Sequence, residues 1–237
     1  MEQMVTTLPR SQEDGLNSRV ALRITPDIIS TDIVDEPSRL YHISKRCIDI
    51  VLATIGIVVL TPVFLIIAIR IKCDDGGPVF HFREIVGLHG KRFFALKFRT
   101  MIPDADTYLE KHPDLLRQYQ QNMKLLNDPR ITRTGKFLRR TSLDELPQLF
   151  NVLAGQMSLV GPRIIHPSEL PRYREWAIKR LSVKPGITGL WQVSGRQHIS
   201  YEERIVFDMS YIDNRSYIDD LAILFKTFKV FVIHTGA

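Results

Sequence analysis

Much that would make this chain easy to place is missing from it. Two cysteines, Cys47 and Cys73, are too few for a disulfide framework and fit a reducing compartment. The patterns GxxxxGK(S/T), GxGxxG, GxSxG and HExxH do not occur, so no nucleotide loop, dinucleotide fingerprint, serine-hydrolase elbow or zincin helix is offered. The seven histidines show no ligand spacing, which argues against a zinc site. No repeat, heptad or low-complexity tract is visible. Residues 1–40 hold no apolar run of signal-peptide length, so no such leader is expected.

What is present is ordinary in bulk and uneven in detail. At 237 residues, 44% apolar and 24% charged, the chain is long enough to bury a core and is neither wholly disordered nor a many-pass transporter. Residues 1–40 carry four basic and seven acidic side chains, against 28 and 19 in the remainder. The first stretch has no sustained helical or strand period and is expected to be a mobile acidic tail. The net +6 suits nucleic acid, phosphorylated ligands or anionic lipid. Nucleic-acid binding rests on that charge alone, with no recognition motif behind it, and is not expected.

One segment departs from the soluble pattern. Ile50 to Ile69 is 20 residues without a charge, about 30 Å of helix and the thickness of a bilayer core. Lys45 and Arg46 precede it; Arg70 and Lys72 follow it. Pro62 removes a backbone donor and clashes with the carbonyl of Val58, while Thr61 can bond back to a nearby carbonyl. Cations at both ends give no inside–outside asymmetry. A kinked span and a hairpin that dips in and returns both remain open.

Beyond it, the Asp74–Pro78 cluster reads as a turn. Residues 79–101 alternate as two short strands about Gly87–Gly90, and residues 104–126 read as a charged, solvated helix. A helix is expected over 145–153 with Leu146, Leu149, Phe150 and Leu153 on one side. Residues 168–181 and the run from Asp220 mix apolar with basic residues and fit either core packing or an interfacial position.

The densest chemical signal lies in Thr134–Gly155, where Lys136, Arg139 and Arg140 precede adjacent carboxylates, Asp144 and Glu145. Ser142 to Glu145 also fits a helix capping box, with Asp144 as an alternative cap before Pro147. The two roles are compatible, because a carboxylate in a cationic setting can attack phosphorus covalently. Arg163 in the Gly161–Pro162 turn could hold a phosphate. The glycine-spaced stretch through Gly186, Gly189, Trp191, Gly195 and Arg196 could admit a ligand or only make turns.

These blocks in order, SKRCIDI, KFRTM, LRRTSLDELPQLFNVLAGQMSLVGPR and KPGITGLWQVSGR with the last helix, resemble the bacterial sugar transferases. Those are monotopic polyprenyl-phosphate glycosyl-1-phosphate transferases, and within them the chain is similar to the galactose and glucose phosphotransferases that start exopolysaccharide assembly. The resemblance implies a mainly α fold with a small β element (α+β). It implies a broken re-entrant helix at Thr61-Pro62 (41–72) and a cytoplasmic catalytic domain (73–237) bearing interfacial amphipathic helices, at the bacterial inner membrane. Asp144 would be the nucleophile and Glu145 its partner in proton transfer or metal binding. Arg139, Arg163, Lys97, Arg99 and Asp220 would bind phosphate or substrate, although Ile164 replaces the family's usual second proline beside Arg163. Mg²⁺, a hard cation suited to oxygen ligands, would be held by Asp144 and Glu145. The substrates implied are a UDP-hexose and undecaprenyl phosphate in contact with membrane lipids, with a homo-oligomer left open. A covalent sugar-phosphate on Asp144 would form as UMP leaves. The competing reading is a membrane-anchored interaction protein whose dyad only caps a helix.

Overall fold

A computed structural model describes residues 38–122, 125, 127–194 and 199–233. The acidic tail expected over 1–40 therefore falls almost wholly outside the described residues, as do Gly195 and Arg196.

The long apolar run folds as α1, Arg39–Asp75, a helix of 37 residues. Ser38 caps it through its hydroxyl, which accepts from the Tyr41 N–H, and Gly76 stops it at φ 72°, a left-handed conformation that suits glycine. The helix is not interrupted at Thr61-Pro62. Proline removes one donor only, the neighbouring bonds carry the turn, and the Thr61 hydroxyl donates to Ile57 O at 2.8 Å. The break expected at Thr61-Pro62 is therefore not seen, and α1 runs continuously through both residues.

One stripe of α1 faces inward, with Tyr41, Asp49, Ala53, Ile67 and Ile71 buried. Its opposite face is bare and apolar; Val58 and Val59 are each 67% exposed. An 18-residue window of this helix has mean hydropathy 2.9 with only 11% of it buried. By length and composition α1 is a candidate membrane helix, and the contiguous apolar surface has no protein covering it among the described residues.

Strands β1 (Phe80–Val86) and β2 (Arg92–Phe98) form the expected antiparallel hairpin, with Phe80 opposite Phe98 and His81 opposite Lys97. Two short helices follow, α2 (Ala105–Glu110) and α3 (Pro113–Asn122), where a single charged helix was expected. Helix α4 (Arg133–Thr141) starts at Thr132, whose hydroxyl accepts from the Gly135 N–H. A helical turn at Leu143–Glu145 leads into α5 (Gln148–Leu153). Strand β3 (Ser158–Val160) pairs in parallel with β4 (Gly186–Thr188).

Between β3 and β4 runs a 3₁₀ stretch, Pro167–Trp176, then α6 (Ala177–Arg180). This is the segment that reads as amphipathic; Pro171 and a backbone break at Arg174 divide it, and Tyr173 and Arg180 point inward. The chain closes with α7 (Leu190–Ser194), α8 (Tyr201–Asn214) and α9 (Tyr217–Ile233). On α9, Ile218, Leu221, Phe225 and Phe228 form an exposed apolar stripe at helical spacing, with Lys226 and Lys229 beside it. The fold is mainly helical with two small sheets. Its main core gathers Ala53, Ile85, Ala95, Val152, Met157 and Val160 with Tyr173, Met209 and Ile212.

Both ends of α1 are fastened to this same body. Near the start, Lys45 pairs with Asp220 at 2.5 Å, Arg46 donates to the carbonyls of Val152 and Leu153, and buried Asp49 accepts from the Leu159 N–H at 3.0 Å. At the far end, Asp74 accepts from the Thr134 N–H at 3.1 Å and Asp75 forms a two-point pair with Arg99.

Helix α4 lies very close to the segment after β2, and Gly135 makes that approach feasible. A Cβ at Gly135 would sit 2.0 Å from Thr100 O and 2.7 Å from its carbonyl carbon. We expect Gly135→Ala to cost about 3 kcal/mol or abolish folding, whereas Gly56→Ala, which meets only the Leu149 side chain at 3.3 Å, loses far less. Thermal unfolding in detergent checks the ordering; equal losses would remove the close-approach account.

Candidate active site

The site forms where three chain segments converge. The end of β2 supplies Lys97, the turn after α4 supplies Asp144 and Glu145, and the loop after β3 supplies Arg163. Helix α4 contributes Arg139.

The capping role open in the sequence is not taken. Ser142 sits at φ 57° and makes no side-chain cap bond. Pro147 is the N-cap of α5, again without a side-chain cap bond. Asp144 and Glu145 are instead held in a tight 3₁₀ turn, which leaves both carboxylates for other partners.

Those partners differ sharply. Glu145 accepts from Lys97 Nζ at 2.7 Å and takes a forked pair from Arg163, Nη2 to Oε1 at 2.7 Å and Nη1 to Oε2 at 3.2 Å. Asp144 accepts no hydrogen bond among the described residues; its nearest cation is Lys97, at 3.9 Å. Burial by itself would raise the Glu145 carboxyl, but Arg163 and Lys97 overcome it and hold the group at about 2. For Asp144 burial wins: the carboxyl lies above its ordinary value, with Lys97 pulling down and the Glu145 charge pushing up. Two adjacent carboxylates are thereby driven apart, one locked and one free.

Arg139 donates from Nε to Thr100 Oγ1 at 2.9 Å. Burial lowers its pKa, and the Asp144 charge works against that fall. Arg163 also lies over the Trp191 ring, its guanidinium carbon 5.8 Å from the centroid, and Arg204 approaches the same ring at 4.7 Å. Lys97 at 3.9 Å, with the charges of Arg139 and Arg163 also acting on it, sets Asp144 in a positive field.

Two of the residues singled out from the sequence lie elsewhere. Arg99 is committed to Asp75 and to the carbonyls of Pro78 and Met101, closing the end of α1. Asp220 accepts from Tyr211 at 2.7 Å and from Tyr41 and Lys45, beneath the start of α1. Thr61 and Pro62 are exposed on α1. Ile164, next to Arg163, is buried in the core.

Some contributors carry no motif. Buried Asn151 accepts from the Leu96 N–H at 2.9 Å and donates to Phe94 O at 2.8 Å, pinning β2 to α5. The glycines of the later blocks serve backbone packing: a Cβ at Gly186 would lie 2.2 Å from Gly161 N, and one at Gly189 would lie 2.4 Å from Gly161 O. A buried asparagine among apolar neighbours and repeated glycines facing a strand were the hints.

Among the described residues no cluster of three or more acidic, histidine or cysteine side chains could hold a metal ion. The available oxygens are those of Asp144 and the outer lone pairs of Glu145. They fit a hard divalent cation only if a bound phosphate and water complete its shell.

Comparison with known proteins shows the family. The bacterial sugar transferase family model matches residues 40–234. The exopolysaccharide production protein ExoY of Rhizobium meliloti is 42% identical over 198 residues, covering 82% of this chain and 88% of that protein. The undecaprenyl-phosphate galactose phosphotransferase of Salmonella typhimurium is 45% identical over 197 residues, or 81% of this chain. The UDP-glucose:undecaprenyl-phosphate glucose-1-phosphate transferase of Escherichia coli is 40% identical over 210 residues, or 84% of this chain. The chain spans only 41% and 43% of these last two relatives.

The divided carboxylates make opposite stability predictions. Glu145 is depressed in the fold, so it stabilises above pH 4.5 and that contribution is lost as pH falls towards 2. We expect Glu145→Gln to be less stable by about 3 kcal/mol at neutral pH, with the gap to wild type closing across that acidic window. Asp144 is raised, so its ionised form costs stability above its folded pKa; Asp144→Asn is expected to raise Tm at neutral pH. Calorimetry across pH checks both, and a stabilised Glu145→Gln would reverse the assignment.

Proposed function

The chain belongs to the bacterial sugar transferase family, and from that premise we propose that it transfers a hexose-1-phosphate from a UDP-sugar to undecaprenyl phosphate, starting exopolysaccharide assembly. The observation that carries this reading is the free carboxylate of Asp144, without a hydrogen-bond donor of its own among the described residues yet ringed by Lys97, Arg139 and Arg163.

The reaction follows in two displacements. An Asp144 oxygen attacks the β-phosphorus of the UDP-sugar, the bond to the bridging oxygen breaks, and UMP departs with that oxygen and its electron pair. The sugar phosphate is left on Asp144. A phosphate oxygen of undecaprenyl phosphate then attacks the same phosphorus, and the Asp144 carboxylate is released. The cations neutralise the diphosphate, which would otherwise repel an attacking carboxylate. Poor solvation of Asp144 makes it a more basic, stronger nucleophile. Glu145 keeps Lys97 and Arg163 in place. Mg²⁺, held by Asp144 and Glu145 together with the donor's phosphates, would add charge neutralisation on the leaving group.

The membrane arrangement completes the proposal. Helix α1 enters lipid with its bare face, and both its ends return to the same body, so the protein is read as monotopic at the inner membrane with the site on the cytoplasmic face. The apolar stripe of α9 with Lys226 and Lys229 suits the lipid surface. Such placement brings a lipid phosphate and a soluble nucleotide sugar to one carboxylate.

Purified enzyme given UDP-hexose without acceptor is expected to release one UMP per site and to carry the sugar phosphate on Asp144, located by peptide mapping. Asp144→Asn is expected to release none while remaining folded. An adduct elsewhere, or UMP release only when donor and acceptor are both present, would refute the covalent route.

The topology has its own natural probes, because Cys47 and Cys73 are exposed near opposite ends of α1. A membrane-impermeant maleimide is expected to modify both in inside-out vesicles and neither in intact spheroplasts. Modification of either from outside would mean that α1 crosses.

A further inference from the structure

Behind the site lies a buried charged pair that the proposed reaction does not use. Arg180 ends α6 and is 0% exposed; Asp208, on α8, is 3% exposed. Arg180 Nη2 donates to the carbonyl of Arg163 at 2.6 Å and reaches that of Pro162 at 3.4 Å. Asp208 interacts with the backbone N–H of the same Arg163 and accepts from the Tyr173 hydroxyl at 2.7 Å. The two side chains approach each other only to 3.8 Å.

This is poor design for stability. Arg180 Nε and Nη1 find no hydrogen-bond partner among the described residues although both are buried, and an unsatisfied buried donor is costly. Burial raises the Asp208 carboxyl to about 6 despite the opposing Arg180 charge, Tyr173 hydroxyl and Arg163 N–H. Buried pairs of this kind can often be replaced by apolar residues without loss of stability. What this pair achieves that an apolar pair cannot is to hold the main chain of a single residue, Arg180 bonding its carbonyl with Asp208 buried alongside, and that residue carries the guanidinium forked onto Glu145.

We propose that Arg180 and Asp208 are positioning residues, a main-chain clamp that fixes the Arg163 backbone so that its side chain holds Glu145 and lines the phosphate site beside Asp144. The clamp's catalytic consequence rests on the reading of Asp144 as the reaction centre.

The test uses full-length protein in nanodiscs. In a Trp176→Phe background, Trp191 is the remaining tryptophan and reports on the Arg163 guanidinium lying over it. The double variant Arg180→Met/Asp208→Leu is expected to stay folded, to shift Trp191 emission in the same direction as Arg163→Ala, and to lose about 10- to 100-fold in kcat with little change in KM. Adding it to Arg163→Ala should lower kcat no further. Arg180→Lys, which keeps a donor for the Arg163 carbonyl, should recover part of both signals and serves if the double variant does not fold. Wild-type emission in a folded double variant, or in Arg180→Lys no recovery relative to Arg180→Met, overturns the clamp. A wild-type protein that releases no UMP from any UDP-hexose ends the functional reading instead, and the emission signal then decides the clamp by itself.

Discussion

The ion pairs at Glu145 hold the site together. One carboxylate binds Lys97 from the hairpin and Arg163 from the loop after β3, so three segments distant in sequence meet at a single side chain. A forked guanidinium pair fixes direction as well as distance. Without it the two cations would face each other unneutralised beside the Leu143–Glu145 turn.

The pairing also explains why neighbouring carboxylates behave differently. Glu145 takes the nearest donors, leaving Asp144 in the same desolvated, cationic setting without a hydrogen-bond donor of its own among the described residues. Each consequence has an energetic sign: the locked group supports the fold at neutral pH, while the free one weakens it. A helix cap would have needed the reverse, a carboxylate bonded to backbone N–H groups.

The parts of this structure legible in the sequence were those set by period and length. Alternation places Phe93 and Ala95 inward and Phe94 outward, so the hairpin could be drawn before it was seen. The uncharged run from Ile50 declared α1. The site was legible as a neighbourhood of charge but not as a set of pairings. Lys97 and Arg99 belong to one basic block, yet β2 ends at Phe98, and past that point the strand's alternation no longer governs direction; Arg99 swings back to Asp75. Asp-Glu-Leu-Pro reads as a cap and first turn because local rules favour it, whereas the three-way contact at Glu145 is long-range. Arg180 was hidden among Arg172, Arg174 and Lys179, where composition suggests an exposed basic face; only the break at Arg174 turns the end of that segment inward.

Helix α1 ties the lipid face to this chemistry through the back of the site. Arg46 binds the last carbonyls of α5, the helix that follows the Asp144 turn, and Asp49 binds the Ser158 hydroxyl and the Leu159 N–H of β3, the strand that leads to Arg163. At its other end Asp74 bonds the first turn of α4, which carries Arg139, and Asp75 holds Arg99 just beyond Lys97. Every segment that delivers a charged group to Asp144 is therefore bonded to, or directly continuous with, an element bonded to α1. The helix whose outer face is suited to lipid is also the strut against which the site is assembled, so the depth of α1 in a membrane would set the height of the Asp144 carboxylate above it.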